Sequence, residues 1–495
     1  MNYYLAVDIG ASSGRHILGW IENGKLQLEE IYRFENLLIE KDGQICWDIE
    51  NLWNQVKNGI VECGKRGVKP VAFGIDTWAV DFVLLDESEK LIGNSVAYRD
   101  SRTDKIMDEV FNLIPKEELY GKTGIQFQKF NTVYQLMAIK KSNPEYFEKA
   151  KDFLMIPDYI NYLLTGVKVN EYTNATSTQL VNAKTKEWDF ELIEKLGIKT
   201  DIFKKIVIPS EKLGNLRKEL VEEFGFDMEV IAPATHDTGS AFIASPITDG
   251  KTVLMSSGTW SLMGVELSEP NLKSDSLACN FTNEGGAEYK YRFLKNIMGL
   301  WIIQEVRRDF GNAHSFAEIV EAAKLSTYFK STIDVNDDRF LKPKSMIQEI
   351  KKACTEKGQQ FPVLLGEIAY CVFNSLSKGY RESVNEIERL TGTKYESVNV
   401  FGGGCQNNLL NQMIAEQTGK TVYAGPVEAT AIGNIVTQMI GNSEIKDISE
   451  ARKIIGKSFD IETFENFTDV SSYEIPVGLF AGFVIQFILS ILIKV

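Results

Sequence analysis

The chain has 495 residues, a formal net charge of -14, and ordinary contents of hydrophobic (44%) and charged (25%) residues. This length allows two or three domains, each with its own core, and the acidic balance argues against binding nucleic acid through its phosphates. Three histidines and six scattered cysteines without a CxxC pair argue against a zinc site. Low cysteine content and the lack of an N-terminal signal segment predict a cytoplasmic protein.

The first predicted strand runs into a turn rich in glycine and serine. Residues 3–9 are mostly apolar and end in DIGASSGR, after which the apolar pattern resumes at Ile17. Such a turn can present backbone N–H groups and hydroxyls to a phosphate, with Arg15 adding positive charge. No Gly-Lys-Ser/Thr follows, so the turn is not a Walker loop. From these residues alone, an ordinary hairpin is an equally good interpretation.

Two buried strands within residues 71–86 are predicted to flank an exposed Asp-Thr-Trp turn that carries Trp78. Trp78 could stack on the apolar face of a sugar while Asp76 or Asp81 accepts hydrogen bonds from the sugar's hydroxyls. A core tryptophan between two sheets is the competing interpretation. Farther along, the polar run EYTNATST at 171–178 suits sugar hydroxyls but is more typical of a solvated loop.

The segment THDTGS at 235–240 follows an apolar run and precedes a run of small residues. This pattern predicts a strand, a tight turn and a helix, with Asp237 at the positive N-terminal end of the helix. Asp237 could act there as a general base. Taken alone, the six residues favour a simple N-cap.

The turn cluster SPITDG at 245–250 marks the predicted boundary between two halves. A strand at 252–255 then runs into SSGTWS, so each half opens with a strand and a hydroxyl-rich turn. This pairing predicts two related domains that clamp one polyphosphate between them.

Two further segments of the second half suggest ligand contacts. Residues 295–305 predict a helix with Asn296 near its start, and three glycines at 402–404 follow a buried strand. Because glycine lets a flat ligand approach the backbone closely, the glycines predict an adenosine pocket. Cys354 and Cys371 could pair, although two buried free thiols fit a reducing compartment better.

Together these segments resemble the FGGY carbohydrate kinases, within the superfamily of hexokinase, Hsp70 and actin. The resemblance keeps the family's order from residue 6 to residue 430, which makes it far more specific than any single loop. It is carried by AVDIGASSGR, GIDTWAVDFVLLD, AYRDSRT, EYTNATSTQLVN, ATHDTGSAFIASP, SSGTWSLMG, TNEGGAEYKYRFLKNIMGLW, NDDRF, FGGGCQNNLLNQ and AGPVEAT. It implies an α/β fold of two RNase H-like (actin-like ATPase) domains, 1–245 and 246–470, with the active site in the cleft between them.

The resemblance also implies roles for individual residues. Asp237 would be the catalytic base, and Asp8 would hold Mg²⁺ through water. Ala79 is a departure, because the family commonly has glycine where the backbone approaches the sugar. The implied nucleotide contacts are Ala11, Ser12, Ser13, Gly14, Arg15, Thr259, Gln304 and Gly402. The implied sugar contacts are Ala79, His236, Asp237, Thr238 and Asn296.

The implied activity is ATP-dependent phosphorylation of L-rhamnulose at its 1-hydroxyl, giving L-rhamnulose 1-phosphate and ADP in L-rhamnose degradation. ATP and Mg²⁺ would be the cofactors, and neither a nucleic acid nor a membrane is an expected partner. Two alternatives remain open: a kinase of this family that acts on another ketose or polyol, and a superfamily ATPase without sugar transfer.

A C-terminal tail at 471–495 stands apart from the rest of the chain. Its stretch 477–493 is almost wholly apolar, yet as a helix at ~1.5 Å per residue it would be slightly short for a bilayer core. A tail anchor, a buried helix and a frame change late in the gene are the three interpretations. Because every motif lies before residue 431, we expect the tail to be non-functional, with a frame change favoured over an anchor.

Overall fold

The structure is a computed structural model that describes residues 1–466. The tail predicted at 471–495, with its apolar stretch, lies outside the described residues. Within residues 1–466, no helix combines the length and apolar character needed to cross a bilayer.

The first half of the chain contains twelve strands and ten helices. Its strands are β1 (Tyr4–Ile9), β2 (Ser13–Glu22), β3 (Lys25–Glu35), β4 (Leu38–Lys41), β5 (Gln44–Trp47), β6 (Ala72–Thr77), β7 (Phe82–Leu85), β8 (Asp152–Met155), β9 (Asn170–Glu171), β10 (Ile206–Val207), β11 (Lys212–Asn215) and β12 (Glu229–Ile231). Its helices are α1 (Ile49–Lys65), α2 (Ile106–Leu113), α3 (Lys116–Thr123), α4 (Thr132–Ser142), α5 (Glu145–Lys149), α6 (Ile156–Thr165), α7 (Tyr172–Ser177), α8 (Phe190–Lys195), α9 (Lys218–Phe224) and α10 (Asp237–Ile243), with a 3₁₀ turn at Ser101–Thr103.

The described part of the second half has seven strands and eight helices. The strands are β13 (Thr252–Ser257), β14 (Trp260–Leu267), β15 (Thr282–Gly285), β16 (Tyr291–Met298), β17 (Ser397–Phe401), β18 (Thr421–Ala424) and β19 (Glu462–Phe464). The helices are α11 (Ser274–Ala278), α12 (Trp301–Asp309), α13 (Phe316–Lys324), α14 (Met346–Glu356), α15 (Leu365–Thr391), α16 (Asn408–Thr418), α17 (Ala429–Gly441) and α18 (Ile448–Ser458), with 3₁₀ turns at Ala287–Tyr289, Asp338–Phe340 and Gly403–Gln406.

Each half is organised around one mixed sheet, and the two sheets repeat one topology. The first sheet has the order β11-β12-β6-β1-β2-β3, and the second has the order β15-β16-β14-β13-β17-β18-β19. In each, an antiparallel meander leads to parallel strands: β3-β2-β1 continues into β6 and β12, and β16-β14-β13 continues into β17 and β18. The predicted α/β fold of two related domains is therefore confirmed.

The central strands β1 and β6 are buried at every residue, as expected for parallel strands that are covered on both faces. Part of that cover comes from the second half of the chain, because α17 packs on β1 and β6. On α17, Asn434 donates to Asp76 of β6, and Gln438 donates to the carbonyl of Leu5 on β1. The division into domains at residue 245 thus stays a prediction, with α17 crossing over to the first sheet.

Local signals predicted some elements correctly and others wrongly. Asp48 caps α1 by accepting from the Asn51 amide, as its position before an amphipathic segment indicates. The helix predicted over 295–305 is wrong at its start. There β16 continues to Met298, paired with β14, and α12 begins only at Trp301. The solvated loop predicted at 171–178 is also wrong, since these residues are buried and mostly form α7.

Candidate active site

A cavity of about 550 Å³ lies between the two halves and gathers most of the predicted site residues. Those that line it are Ala11, Ser12, Ala79, His236, Asp237, Thr238, Thr259, Asn296, Gln304 and Gly402. Asp8, Ser13, Gly14 and Arg15 are not among the lining residues. Residues from the turn before β2 to the glycine-rich segment after β17 thus meet in one space large enough for a small ligand.

The turn predicted as the first phosphate loop joins β1 to β2. The Gly10 amide donates to the Ser13 carbonyl, and Asn36 donates from its side chain to the Gly10 carbonyl. Ser13 and Gly14 already belong to β2, which explains why they lie outside the cavity lining. Behind the turn, Arg15 forms ion pairs with Asp8, at 2.7 Å, and with Glu428 of the second half.

The second hydroxyl-rich turn lies between β13 and β14, and the glycine-rich segment packs directly against it. Gly402 has a φ of +81°, which a residue with a side chain rarely adopts. A Cβ atom on Gly404 would lie 2.0 Å from Oγ of Ser257, at the end of β13. Glycine is therefore required here because the strand end carrying Ser257, which adjoins the turn with Thr259, approaches the glycine-rich segment so closely.

Asp237 occupies the strand–turn–helix junction that its sequence predicts. It is the first residue of α10, while the N-cap position falls on His236, whose side chain makes no capping bond. Both described hydrogen bonds of the carboxylate, from the amide and hydroxyl of Thr238, fall on Oδ1. The side chain is 32% exposed, so a bond to the helix N-terminus coexists with access to the cavity.

Burial raises the pKa of the Asp237 carboxyl above its ordinary value; the His236 ring opposes this shift and the Asp8 carboxylate adds to it. A carboxylate with a raised pKa is a stronger base than an ordinary aspartate. The carboxylate of Asp237 is therefore both accessible from the cavity and more basic than an ordinary aspartate.

Buried Glu171 holds the turn that leads to Asp237. Its Oε2 accepts from the amide and the hydroxyl of Thr235, at 3.0 and 2.8 Å, and its Oε1 accepts from the Thr173 amide at 2.9 Å. The Thr173 hydroxyl in turn accepts from the His236 amide. A polar run that looked like a solvated loop thus holds the turn that leads to Asp237 from the inside.

A buried pair from the second half reaches the other side of His236. Glu284 on β15 and Arg292 on β16 lie 3.1 Å apart, and Arg292 Nη2 and Glu284 Oε2 lie 3.1 and 3.3 Å from His236 Nδ1. Burial raises the pKa of the Glu284 carboxyl, but its interactions with Arg292 and His236 outweigh burial and lower the pKa overall. Sequence reasoning assigned these two residues no role, although both fall in the motif TNEGGAEYKYRF.

The loop with Trp78 is buried, so the predicted exposed turn is wrong. Asp81 accepts from the indole N–H groups of Trp47 and Trp78, from the Tyr98 amide and from Gln135. With four donors already bound, Asp81 is a structural carboxylate and not a sugar ligand. Trp78 packs on Trp47 with ring centroids 4.0 Å apart and also lines the cavity, so it belongs to the core and to the site.

Strain and exposure mark the neighbourhood of Ala79. The next residue, Val80, has a φ of +69°, which is rare for a β-branched side chain, and its carbonyl accepts from Thr132 at 2.6 Å. Such strain is held in place by surrounding bonds and is concentrated at functional sites. Ala79 itself lines the cavity beside it.

Two buried carboxylates lie on neighbouring strands near the ends of β1 and β6. Asp8 and Asp76 are register partners in this parallel pair. Burial raises the pKa of Asp76 well above its ordinary value, with the Asp8 carboxylate adding to the shift. Oδ1 of Asp76 has no hydrogen-bond partner among the described residues. An oxygen-rich, anionic position of this kind suits a hard divalent cation.

Elsewhere, Cys354 and Cys371 are both buried free thiols with their sulfurs 3.9 Å apart. This agrees with the favoured interpretation of two unpaired cysteines.

Comparisons with known proteins agree with this architecture. The rhamnulokinase of Halalkalibacterium halodurans is 59% identical over 465 residues, which cover 94% of this chain and 99% of the relative. The rhamnulokinase of Bacillus subtilis is 43% identical, with 93% and 95% covered.

Among solved structures, a ligand-bound xylulose kinase from Lactobacillus acidophilus has a TM-score of 0.79 at 18% identity and covers 94% of both chains. A Plasmodium falciparum glycerol kinase with ADP has a TM-score of 0.76 at 15% identity, again covering 94% of both chains. These two structures support the fold alone. Residues 3–244 match the model of the "FGGY family of carbohydrate kinases, N-terminal domain". Residues 253–441 match the model of the C-terminal domain of the same family. This chain therefore belongs to the FGGY family of carbohydrate kinases.

Proposed function

We propose that this kinase transfers the γ-phosphoryl group of ATP to the 1-hydroxyl of L-rhamnulose, giving L-rhamnulose 1-phosphate and ADP. The observation that carries the proposal is similarity to rhamnulokinases at 40–59% identity over nearly the whole chain. Degradation of L-rhamnose is the corresponding metabolic role. Six free cysteines within the described residues support a reducing compartment, and we propose the cytoplasm.

We propose Asp237 as the general base that accepts the proton of the attacking hydroxyl. Its Oδ2 makes no hydrogen bond within residues 1–466, so its lone pairs are available to a ligand in the cavity. Phosphoryl transfer depends mainly on positioning and on neutralising charge, and the hydroxyl becomes acidic only as it attacks phosphorus. His236, Thr238, Asn296 and Ala79 would contact the sugar, and the two hydroxyl-rich turns with Gln304 and Gly402 would contact the nucleotide.

Asp8, with Asp76 beside it, would hold Mg²⁺. The described residues gather no cluster of three metal-binding side chains. Mg²⁺ commonly keeps several waters and uses one or two carboxylates, so two neighbouring aspartates fit it, with Asp8 acting through water. When bound, the ion would neutralise charge on the phosphates. Arg15, which pairs with Asp8, would add a second positive charge.

The test is Asp237→Asn, which keeps the size of the side chain but removes the base. We expect kcat for L-rhamnulose to fall by about 10²–10⁴-fold while ATP affinity, measured by titration calorimetry, stays near that of the wild type. The exposed Asp108 of α2 provides a matched control as Asp108→Asn. Near-normal turnover of Asp237→Asn would falsify the assignment.

A panel of ketoses and polyols, with ATP hydrolysis measured in parallel, separates the remaining alternatives. Highest kcat/KM for L-rhamnulose supports the proposal, and preference for another sugar or polyol replaces only the substrate. ATP turnover that no sugar stimulates would indicate a superfamily ATPase without sugar transfer.

A further inference from the structure

The ring of His236 is held between the base Asp237 and a fully buried arginine. Arg292 is 1% exposed, and its Nε donates to the Gly285 carbonyl at 2.8 Å. Its Nη2 lies 3.1 Å from His236 Nδ1, in the direction that a hydrogen bond requires. On the far side of the ring, Nε2 lies 3.4 Å from Oδ1 of Asp237.

A guanidinium has five N–H donors and no acceptor, so its hydrogen bond to Nδ1 requires a lone pair on that nitrogen. In a neutral imidazole, the single proton then resides on Nε2. The opposite tautomer would place two donors against each other at Nδ1. It would also place the Nε2 lone pair against the lone pairs of the Asp237 carboxylate. Both contacts of the ring therefore favour the same tautomer.

Glu284 is the one neighbour that would favour a proton on Nδ1, because its Oε2 lies 3.3 Å away. However, Oε2 of Glu284 makes no hydrogen bond within the described residues, so it does not hold a proton on Nδ1. It lies 3.1 Å from the guanidinium and balances the charge that burial would otherwise leave uncompensated. Glu284 thus keeps Arg292 in the core, and Arg292 makes the bond to the ring.

We propose that Arg292 is a positioning residue that fixes His236 in its Nε2–H tautomer, so that the ring presents a donor toward Asp237 and the sugar. The inference rests on the proposed function for the roles of Asp237 and the sugar. An Nε2–H group beside Oδ1 adds to the donors from Thr238 and leaves Oδ2 to receive the proton of the sugar hydroxyl. Because Arg292 and Glu284 lie on the second sheet and His236 on the first half, the tautomer is set only when both halves are in place.

The direct test is nitrogen NMR of the full-length enzyme with ¹⁵N-labelled histidine. The chain has only three histidines, and His236→Asn identifies the signal of interest by its loss. His16 is an internal reference, because its Nε2 lies 3.1 Å from the Val56 carbonyl and must carry a proton to bond it. We expect His236 to carry a proton on Nε2 and none on Nδ1. A proton on Nδ1, with or without one on Nε2, would overturn the inference.

Variants of Arg292 test the cause. Arg292→Met alone would leave Glu284 buried without a partner, so Arg292→Met with Glu284→Gln removes both charges and keeps the fold testable. An unchanged His16 signal would report that the fold is intact. We expect His236 to lose its tautomer preference in the double variant. In Arg292→Lys, which retains a donor, we expect His236 to keep that preference. An unchanged His236 signal in the double variant would contradict the proposal.

Kinetics separate this inference from the proposed function. The double variant should lose about 10–100-fold in kcat with the KM for ATP unchanged, and Arg292→Lys should recover much of that loss. A switched tautomer with wild-type kcat would refute the link to catalysis. If Asp237→Asn stays active, the assignment of the base fails while the NMR result still decides the role of Arg292. If Asp237→Asn is inactive and the tautomer is unaffected by Arg292, only the present inference fails.

Discussion

Gly433 lies where α17 crosses α10, the helix that begins with Asp237. A Cβ atom at this position would lie 1.8 Å from the Ser240 carbonyl oxygen and 2.5 Å from its carbon, whereas ordinary contact begins at 3.4 Å. Both clashing atoms belong to the backbone, so no side chain can rotate away. Gly433→Ala would therefore force the two helices about 1.6 Å apart.

That displacement has two measurable consequences. Overpacking of this size should lower the free energy of unfolding by about 1–3 kcal/mol. Because α10 carries Asp237, the proposed base, the same shift would move its carboxylate relative to the sugar hydroxyl. A misplacement of ~1 Å can reduce turnover about 10²-fold, so we expect a loss of at least that size in kcat.

The assay couples ADP formation to NADH oxidation, and urea unfolding measures stability. Gly379→Ala is the matched control, since Gly379 lies inside α15 and its added Cβ would meet only Val335, at 3.7 Å. The control should keep wild-type kcat and gain about 0.4–1 kcal/mol from the lower entropy of its unfolded chain. A Gly433→Ala enzyme with kcat within about threefold of wild type would refute the idea that α17 sets the position of the base.

Three further predictions follow from other parts of the molecule. Arg15→Gln should raise the KM for ATP by about 10–100-fold, because it removes one charge-assisted hydrogen bond. The control Arg33→Gln, at an exposed arginine, should leave the KM for ATP unchanged. Equal effects of the two substitutions would exclude a phosphate contact by Arg15. Burial and the charge of Glu171 raise the pKa of the Asp158 carboxyl in the folded protein above its value in the unfolded chain. The contribution of Asp158 to the free energy of unfolding therefore falls as the pH rises from the unfolded pKa through the folded pKa. In urea titrations, Asp158→Asn should therefore gain stability relative to wild type between the ordinary aspartate pKa and neutral pH, and a constant difference would contradict the shift. A chain that ends at Ser472 should keep full kcat, because the cavity-lining residues all precede residue 431; loss of folding would assign the tail to the core instead.

Local sequence was enough for the elements whose signals lie within a few residues. The alternation of apolar strands with Gly- and Ser-rich segments predicted the turns between β1 and β2 and between β13 and β14. The run from 230 to 240 predicted the junction that holds Asp237. These features are short-range because turn chemistry, capping and strand amphipathicity act between near neighbours. The resemblance in motif order extended them to a two-domain fold, which the repeated sheet topology confirms.

Only the tertiary structure decided which polar side chains are free to act. The sequence made Asp81 a candidate sugar ligand, but the structure binds its carboxylate to four donors that come from four separate segments. Residues 295–298 (Lys, Asn, Ile, Met) have no local pattern that separates a helix from a strand, and pairing with β14 made them a strand. The bond of Arg292 to His236 joins residues 56 positions apart. Such choices depend on the free energy of burying polar groups with their partners, and those partners come together only when the two halves pack.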